Sequence, residues 1–318
     1  MISRLLLASV AFLVLAGCGG GSTSAPGGGP GSGTGASVDQ AVTDAAEAYC
    51  TRLQACAPAY ATYGFGALAT CEARFKMQLV ADLGVPGTSE TVAQVEACAQ
   101  VLGPMSCPDL LGRKMPSACL PQPGTLADGV ACLADGQCKG TRCRVPTDAL
   151  CGACTSPAAA GAACDTDGDC QPAMACVGRA CTPYGTAGST CSATQPCRPD
   201  LGCAGGTCGT PSAAGTACQA STECDQLHGV FCNPVSKQCQ TVAFAPAGGA
   251  CGLVSGNLVV CTGPGSFCSG ATRAPYAGTC TAFATDGASC DADAGPLCDF
   301  GAACVGGTCE VPGPTGCR

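Results

Sequence analysis

Gly161–Cys181, GAACDTDGDCQPAMACVGRAC, and Gly188–Cys208, GSTCSATQPCRPDLGCAGGTC, are one pattern written twice. Each opens on a glycine and two small residues, then sets four cysteines at C-x5-C-x5-C-x4-C: Cys164, Cys170, Cys176, Cys181 and Cys191, Cys197, Cys203, Cys208. The copies start 27 residues apart. The pattern continues through Cys218, Cys224, Cys232 and Cys239, a stretched copy at Cys251, Cys261, Cys268 and Cys280, and a last copy at Cys290, Cys298, Cys304 and Cys309. Cys317 is an extra. A fixed period with insertions confined to the gaps marks an array of small units, each touching mainly its neighbours.

The first unit differs: Cys132-x5-Cys138-x4-Cys143-x7-Cys151-x2-Cys154. Read onward to Cys181, the 50 residues CLADGQCKGTRCRVPTDALCGACTSPAAAGAACDTDGDCQPAMACVGRAC resemble the Dickkopf N-terminal cysteine-rich domain. That family places ten cysteines in nearly this order, including the two-residue gap and a later adjacent pair. Here Gln171 stands where the pair needs its second cysteine, so one bridge of the family pattern is missing or rerouted. Later units echo only the final four cysteines. The family's colipase-like second domain is not recognisable, so no receptor-binding function carries over. The resemblance implies a knot of short loops and hairpins serving as an extracellular interaction module, as in Dickkopf-like repeats of bacterial surface lipoproteins.

Composition agrees with a crosslinked scaffold. The chain has 318 residues, 33 of them cysteine, with 47 glycines, 23 prolines, no tryptophan and one histidine. Such density points to disulfides made in an oxidising compartment, since cytosolic thiols are kept reduced. A mean hydropathy of +0.29 misleads, because alanine and cysteine inflate it. From residue 120 to 318 there are 9 Leu, 11 Val, 5 Phe and no Ile, below the roughly 20% at which a packed core becomes doubtful. Crosslinks must replace burial there. A bridge closing a short loop contributes only about 2–3 kcal/mol through the unfolded state, so neighbour stacking must help, and a semi-rigid, elongated stalk is expected. Net charge is −8, with no basic run interleaved with aromatics, which excludes a phosphate-tracking surface. No nucleic acid partner is expected.

The amino terminus has its own logic. Arg4 precedes an apolar run from Leu5 to Ala16, the length of a secretory h-region and too short to span a bilayer. It ends in Leu15-Ala16-Gly17-Cys18, which resembles the lipobox of bacterial lipoproteins. The resemblance implies cleavage of residues 1–17, a diacylated Cys18 sulfur and an acylated new amino terminus. The alternative is an ordinary signal peptide cut nearby, with Cys18 left as a thiol. Parity favours the lipid: 33 − 1 = 32 cysteines can close as pairs. Several acyl chains, at about 0.8 kcal/mol per buried methylene, make a permanent membrane anchor. Gly19 follows, not the aspartate that marks inner-membrane retention in similar lipoproteins, which points to the outer membrane or cell surface. Residues 18–36 continue as a Gly/Ser/Pro tether that buries nothing.

Residues 37–119 read as a helical domain. Ser37 caps a helix with Val38, Ala41, Val42, Ala45, Tyr49 and Leu53 at helical spacing, stopped near Pro58. A second runs from about Gly66 to Leu83 through Leu68, Cys71, Phe75 and Leu79. A third is capped by Thr88 or Ser89 and carries Val92, Val95, Cys98 and Leu102, with a short turn of helix from Pro108 to Leu111. Cys50, Cys56, Cys71, Cys98, Cys107 and Cys119 staple this three-helix bundle. Of fifteen pairings, the expected one joins Cys50 to Cys98, Cys56 to Cys71 and Cys107 to Cys119. The fold class is therefore small and disulfide-rich: a disulfide-stapled α-helical N-terminal domain, then an array of loop and short-hairpin cysteine-rich modules from 120 to 318.

Little in the sequence carries chemistry. Cys151-Gly152-Ala153-Cys154 has the spacing of a redox or half-zinc site but lacks the βαβ setting or a second ligand pair. Asp165, Asp167 and Asp169 alternate as calcium ligands often do, yet Cys170 and Cys176 occupy the positions where an EF-hand needs glycine and glutamate. The competing reading is that Asp and Gly build the turn between two cysteines, as Asp135-Gly136 does one unit earlier. His228 has no nucleophile motif around it, and Glu47, Glu72 and Glu96 read as a solvated helix face. The expected function is non-catalytic and cofactor-free: binding, adhesion or structural display towards an extracellular protein or glycan. Its best contact surface is the insertion from Gly252 to Tyr276, where Leu253, Val254, Leu258, Val259, Val260 and Phe267 gather. An inhibitor of an extracellular hydrolase is the alternative, with one rigid loop presented to an enzyme's cleft.

Overall fold

A computed structural model describes residues 36–146, 149, 151–262, 266–271, 276–291, 295–296, 298 and 302–310. Cys18, residues 1–35, Cys317 and parts of the Gly252–Tyr276 insertion lie outside them.

Five helices form the N-terminal domain among the described residues: the three expected, the expected short turn near Pro108–Leu111, and one more that opens at Pro58. The Ser37 hydroxyl accepts from the Gln40 amide at 3.1 Å and starts α1 (Val38–Cys56). As expected, α1 stops just before Pro58; Pro58 also opens α2 (Pro58–Phe65) from the first turn, where its missing N–H costs nothing. After a break at Gly66 come α3 (Leu68–Gly84) and α4 (Val92–Leu102), the latter capped by Thr91 and not by Thr88 or Ser89. Ser106 caps the short α5 (Cys107–Leu111). Ala41, Val42 and Ala45 of α1 pack on Val95 and Ala99 of α4, with Leu79 and Leu83 of α3 closing the cluster. Small side chains let the helices approach closely. Lys76 ties α3 to the start of α1 through Asp39 at 2.7 Å and Thr43 at 2.8 Å, and the rings of Tyr49 and Phe75 stack at 4.5 Å.

The staples differ from the expected set. Cys50 bonds Cys71, Cys56 bonds Cys107, and Cys98 bonds Cys119. The alanine seam of α1 takes up the face towards α4, which turns Cys50 to α3. Cys98 lies instead beside Leu102, Met105 and Cys119.

Beyond residue 120 a single bonded frame recurs six times. In every module the first cysteine bonds the third and the second bonds the fourth: Cys132–Cys143 and Cys138–Cys154, Cys164–Cys176 and Cys170–Cys181, Cys191–Cys203 and Cys197–Cys208. Cys218–Cys232 and Cys224–Cys239, Cys251–Cys268 and Cys261–Cys280, Cys290–Cys304 and Cys298–Cys309 follow the same order. The third and fourth cysteines face each other across an antiparallel pair in all six, for example Cys176 against Cys181 and Cys304 against Cys309. Cross-strand partners share a face, so both sulfurs reach the incoming loop together. Cys154 is therefore the fourth cysteine of the first module, and Cys151 stands outside the frame.

The glycine before each first cysteine has a physical reason. Gly129, Gly161, Gly188, Gly215, Gly248 and Gly287 all have φ between 78° and 87°. Each donates its N–H to the carbonyl of its module's fourth cysteine at 2.7–2.8 Å. Only glycine adopts that backbone without strain. Nothing lies within 4 Å of a Cβ built on Gly188, so Gly188→Ala should cost about 1–2 kcal/mol through backbone conformation alone. Amide exchange at Cys191–Cys208 would report it; unchanged protection there would contradict this account.

The array is not a free stalk, because its first four modules lie against the helices. Gln137 donates to the Pro86 carbonyl at 2.8 Å, Ser89 N–H to Gly136 at 2.8 Å, and Val85 packs with Leu133 and Ala134. Arg113 reaches the Met174 carbonyl at 2.7 Å and the Gln171 carbonyl at 3.3 Å in the second module. Arg198 of the third lies beside Gly112, and Leu227 of the fourth packs on Leu53, Ala57 and Ala61. The helical domain thus supplies an apolar partner to the first and fourth modules and polar or arginine contacts to the second and third. Successive modules also touch: Arg142 meets Asp169 at 3.1 Å, Asn233 donates to the Gly256 carbonyl at 3.0 Å, and the rings of Phe267 and Phe283 lie 6.2 Å apart.

Among its described residues, the Gly252–Tyr276 insertion is largely strand, not loop. Ala250–Val254 and Asn257–Cys261 form a hairpin inside a five-stranded sheet with Ala243–Ala245, Ser266–Ser269 and Ala277–Ala282. Leu258 is buried, and Leu253, Val254, Val259, Val260 and Phe267 are half-buried. The apolar residues expected to face a ligand thus sit on strands of a sheet, most of them half-exposed.

Candidate functional site

Asp165-Thr166-Asp167-Gly168-Asp169 builds a turn of 3-10 helix at Asp167–Asp169. The Asp169 carboxylate accepts the amides of Asp165 at 2.9 Å and Thr166 at 3.0 Å. Asp167 accepts the Cys176 amide at 2.6 Å. The first module repeats the device with Gln137, which accepts from Leu133 and Ala134, and with Asp135, which accepts the Cys143 amide at 2.6 Å. In the fourth module Glu223 and Ser221 fill the same two roles. One side chain caps the turn while another holds the third cysteine's strand.

The charge of this acidic run is met by arginines. Arg142 lies 3.1 Å from Asp169, and Arg144 lies 2.7 Å from Asp165 and 3.6 Å from Asp169. Burial pushes the Asp169 carboxyl up, but the Thr166 and Asp165 amides and Arg142 outweigh it and hold it below the usual value. Burial dominates at Asp167, raising it despite the Cys176 amide and Arg113. Each of the three carboxylates thus has at least one oxygen engaged by the turn or by the seam between the first two modules.

The other sequence candidates are placed as follows. Cys154 bonds Cys138 and not Cys151, so the C-x-x-C is not itself a bridge. Sulfurs of Cys132, Cys138 and Cys143 converge within 4.8 Å, but as crossed disulfides, whereas a metal needs thiolates. The His228 Nδ1 lies 2.8 and 2.9 Å from the two Asp225 oxygens on an exposed turn. Glu47 is exposed and lines an open depression on α1 with Asp44 and Arg52. A second open depression, between the fourth and fifth modules, is faced by Asn233, Ser236, Gln238, Gln240 and Gly256.

One buried polar group was missed in the sequence. Gln78 and Asp82 of α3 are 4% and 1% exposed, and their side-chain oxygens and the Gln78 amide nitrogen have no hydrogen-bond partner among the described residues. Burial, then the nearby carboxylates of Glu90 and Asp135, push Asp82 well above its ordinary value. The signal was present: Cys71, Phe75, Gln78 and Asp82 continue one helical stripe at spacings of four, three and four. The folded state therefore holds the Asp82 proton more tightly than the unfolded chain. Below the ordinary carboxylate value both states are protonated and nothing is lost; as pH rises from there towards the raised value, stability falls. Asp82→Asn should accordingly stabilise the fold at pH 7, on the order of 1–3 kcal/mol, with little gain at pH 3. Thermal melts across that range would show it; equal losses at both pH values would contradict it.

No family model matches the chain, and no curated protein and no solved structure matches it.

Proposed function

We propose that the chain is a surface-anchored, non-catalytic display protein, held to a membrane by an acylated Cys18 and presenting its cysteine-rich modules to an extracellular protein or glycan. The observation that carries this reading is the repetition of one bonded frame under changing side chains. Six modules keep the four cysteines, their pairing and the glycine turn, while most of the other residues between them differ from module to module. Such an arrangement holds many short loops rigid, which lowers the entropy cost of binding. The amide- and hydroxyl-lined depression between the fourth and fifth modules suits a polar ligand such as a glycan, and the half-exposed Phe244 and Tyr276 and the exposed Val235 add apolar contact near by in sequence. The Dickkopf-like order of cysteines, in the first two modules above all, supports an extracellular interaction role.

The test joins anchor to function. Cells making the Cys18→Ser chain should release it from the membrane, lose its fatty-acid label and show the adhesion or binding defect of cells lacking the chain. Full function from the released form would overturn anchored display. Stoichiometric inhibition of a secreted hydrolase by the purified chain would replace it with the inhibitor reading.

A further inference from the structure

The buried pair on α3 is unfinished. Both Asp82 oxygens, and both amide atoms of Gln78 one turn earlier, are sealed from solvent without a hydrogen-bond partner among the described residues. Native interiors rarely leave such groups unpaired, and a carboxylate is the costliest to leave so. We propose that Asp82, Gln78 and Glu90 hold a calcium ion, which fastens the first cysteine-rich module to the helical domain.

Three segments meet at this place. Val85, one turn beyond Asp82, packs on Leu133 and Ala134 of the first module. The Ser89 N–H donates to the Gly136 carbonyl at 2.8 Å, and the Glu90 Cβ lies 3.7 Å from a Cβ built on Gly136. Glu90 and Asp135 are therefore close enough for their carboxylates to repel that of Asp82. Among the described residues no arginine or lysine forms an ion pair with Asp82 or Glu90, and Arg142, 3.4 Å from Asp135, is shared with Asp169 at 3.1 Å. Three carboxylates against one shared guanidinium leave an excess of negative charge that a divalent cation matches.

The donors suit calcium, a hard cation that takes about six to eight oxygens, amide carbonyls included, in flexible geometry. Asp82 offers both its oxygens, Gln78 its Oε1 and Glu90 its carboxylate, and the four-residue spacing sets Gln78 beside Asp82 on the helix surface. Asp135 contributes charge, because its Oδ1 already accepts the Cys143 amide at 2.6 Å. A calcium-bound water can accept from the Gln78 amide nitrogen. The alternating aspartates of the second module differ, since Asp165, Asp167 and Asp169 each have an oxygen engaged. The gain expected above from Asp82→Asn is that of the metal-free chain. Bound calcium reverses it, because the ion relieves the buried charge and asparagine cannot replace the carboxylate.

The experiment follows thermal unfolding of the oxidised full chain at pH 7, first with a chelator and then with millimolar calcium chloride. Calcium should raise the Tm of the unaltered chain by a few degrees, as a ligand of the folded state does. Asp82→Asn and Glu90→Gln should remove that rise and weaken calcium binding, read by titration calorimetry, by at least about 10–100-fold, the range that even outer-shell partners reach. Asp82→Asn should melt above the unaltered chain in chelator and below it in calcium, a crossing that a merely structural aspartate would not produce. Asp165→Asn should keep the rise. No rise in the unaltered chain would overturn the proposal, as would a rise that survives in both Asp82→Asn and Glu90→Gln. A rise lost only in Asp165→Asn would place the ion on the alternating aspartates and overturn it too.

Discussion

Reductant at neutral pH should erase the hairpin array while most of the helical signal survives. The reason lies in what each core is made of. The second module's buried cluster is Cys164, Cys170 and Cys181, with Ala158, Met174 and Cys176 at its edge. The fifth module's is Cys251, Cys261 and Cys280. Two bridges of about 2–3 kcal/mol each match or exceed the stability that so small a unit holds on its own. The helical domain keeps an apolar seam that needs no sulfur, Ala41, Val42, Ala45, Val95 and Ala99. Far-UV dichroism should therefore retain helix, at a lower melting temperature, while amide protection across the modules collapses. Simultaneous loss of both signals would show that the helices depend on the array; persistence of module protection would show that the bridges are dispensable.

Arg113→Ala should detach the second module from the helices. Arg113 follows α5 with a left-handed backbone (φ 57°), which aims its guanidinium at the turn Cys170–Met174. There it donates to the Met174 carbonyl at 2.7 Å, to Gln171 at 3.3 Å and to Cys170 at 3.5 Å. The Tyr184 hydroxyl is hydrogen-bonded to it as well. Burial brings Arg113 down to about 10 and Tyr184 up to about 12, so both keep their ordinary protonation at neutral pH. Charge-assisted hydrogen bonds contribute about 1.5–3 kcal/mol each when well formed, and the strongest here is the one to Met174. The expected loss is about 3 kcal/mol, read as a lower unfolding midpoint and faster exchange at Met174 and Ala173. Arg113→Lys should recover only part, because an ammonium cannot serve several carbonyls with one planar fork. Full rescue by lysine would mean that charge alone holds the seam.

How much of this was legible depends on whether a feature is local. Cysteine spacing and the glycine before each first cysteine fix a repeated frame, because short loops allow few closures and a positive φ admits glycine. Helical periodicity and the Ser37 cap placed the first helix for the same reason. The helical domain's pairings were not legible: six cysteines on helix faces allow fifteen sets, and the choice follows from which face of α1 the alanines use to meet α4. Pro58 marked the end of the first helix but hid the start of the next, because proline both ends helices and opens them. The insertion at Gly252–Tyr276 looked like a contact loop, and only pairing with Ala277–Ala282 and Ala243–Ala245 makes it sheet. Asp165, Asp167 and Asp169 had the spacing of ligands and of a turn; Arg142 and Arg144, more than twenty residues earlier, take up the charge of Asp165 and Asp169. The sequence by itself determined a disulfide-rich array behind a helical domain, since backbone sterics and loop closure act over a few residues. The tertiary structure alone decided that the modules sit on the helices, that Glu90 and Asp135 come near the buried Asp82, and that Cys151 stands outside the frame, because contact between distant segments is set by packing and leaves no local trace.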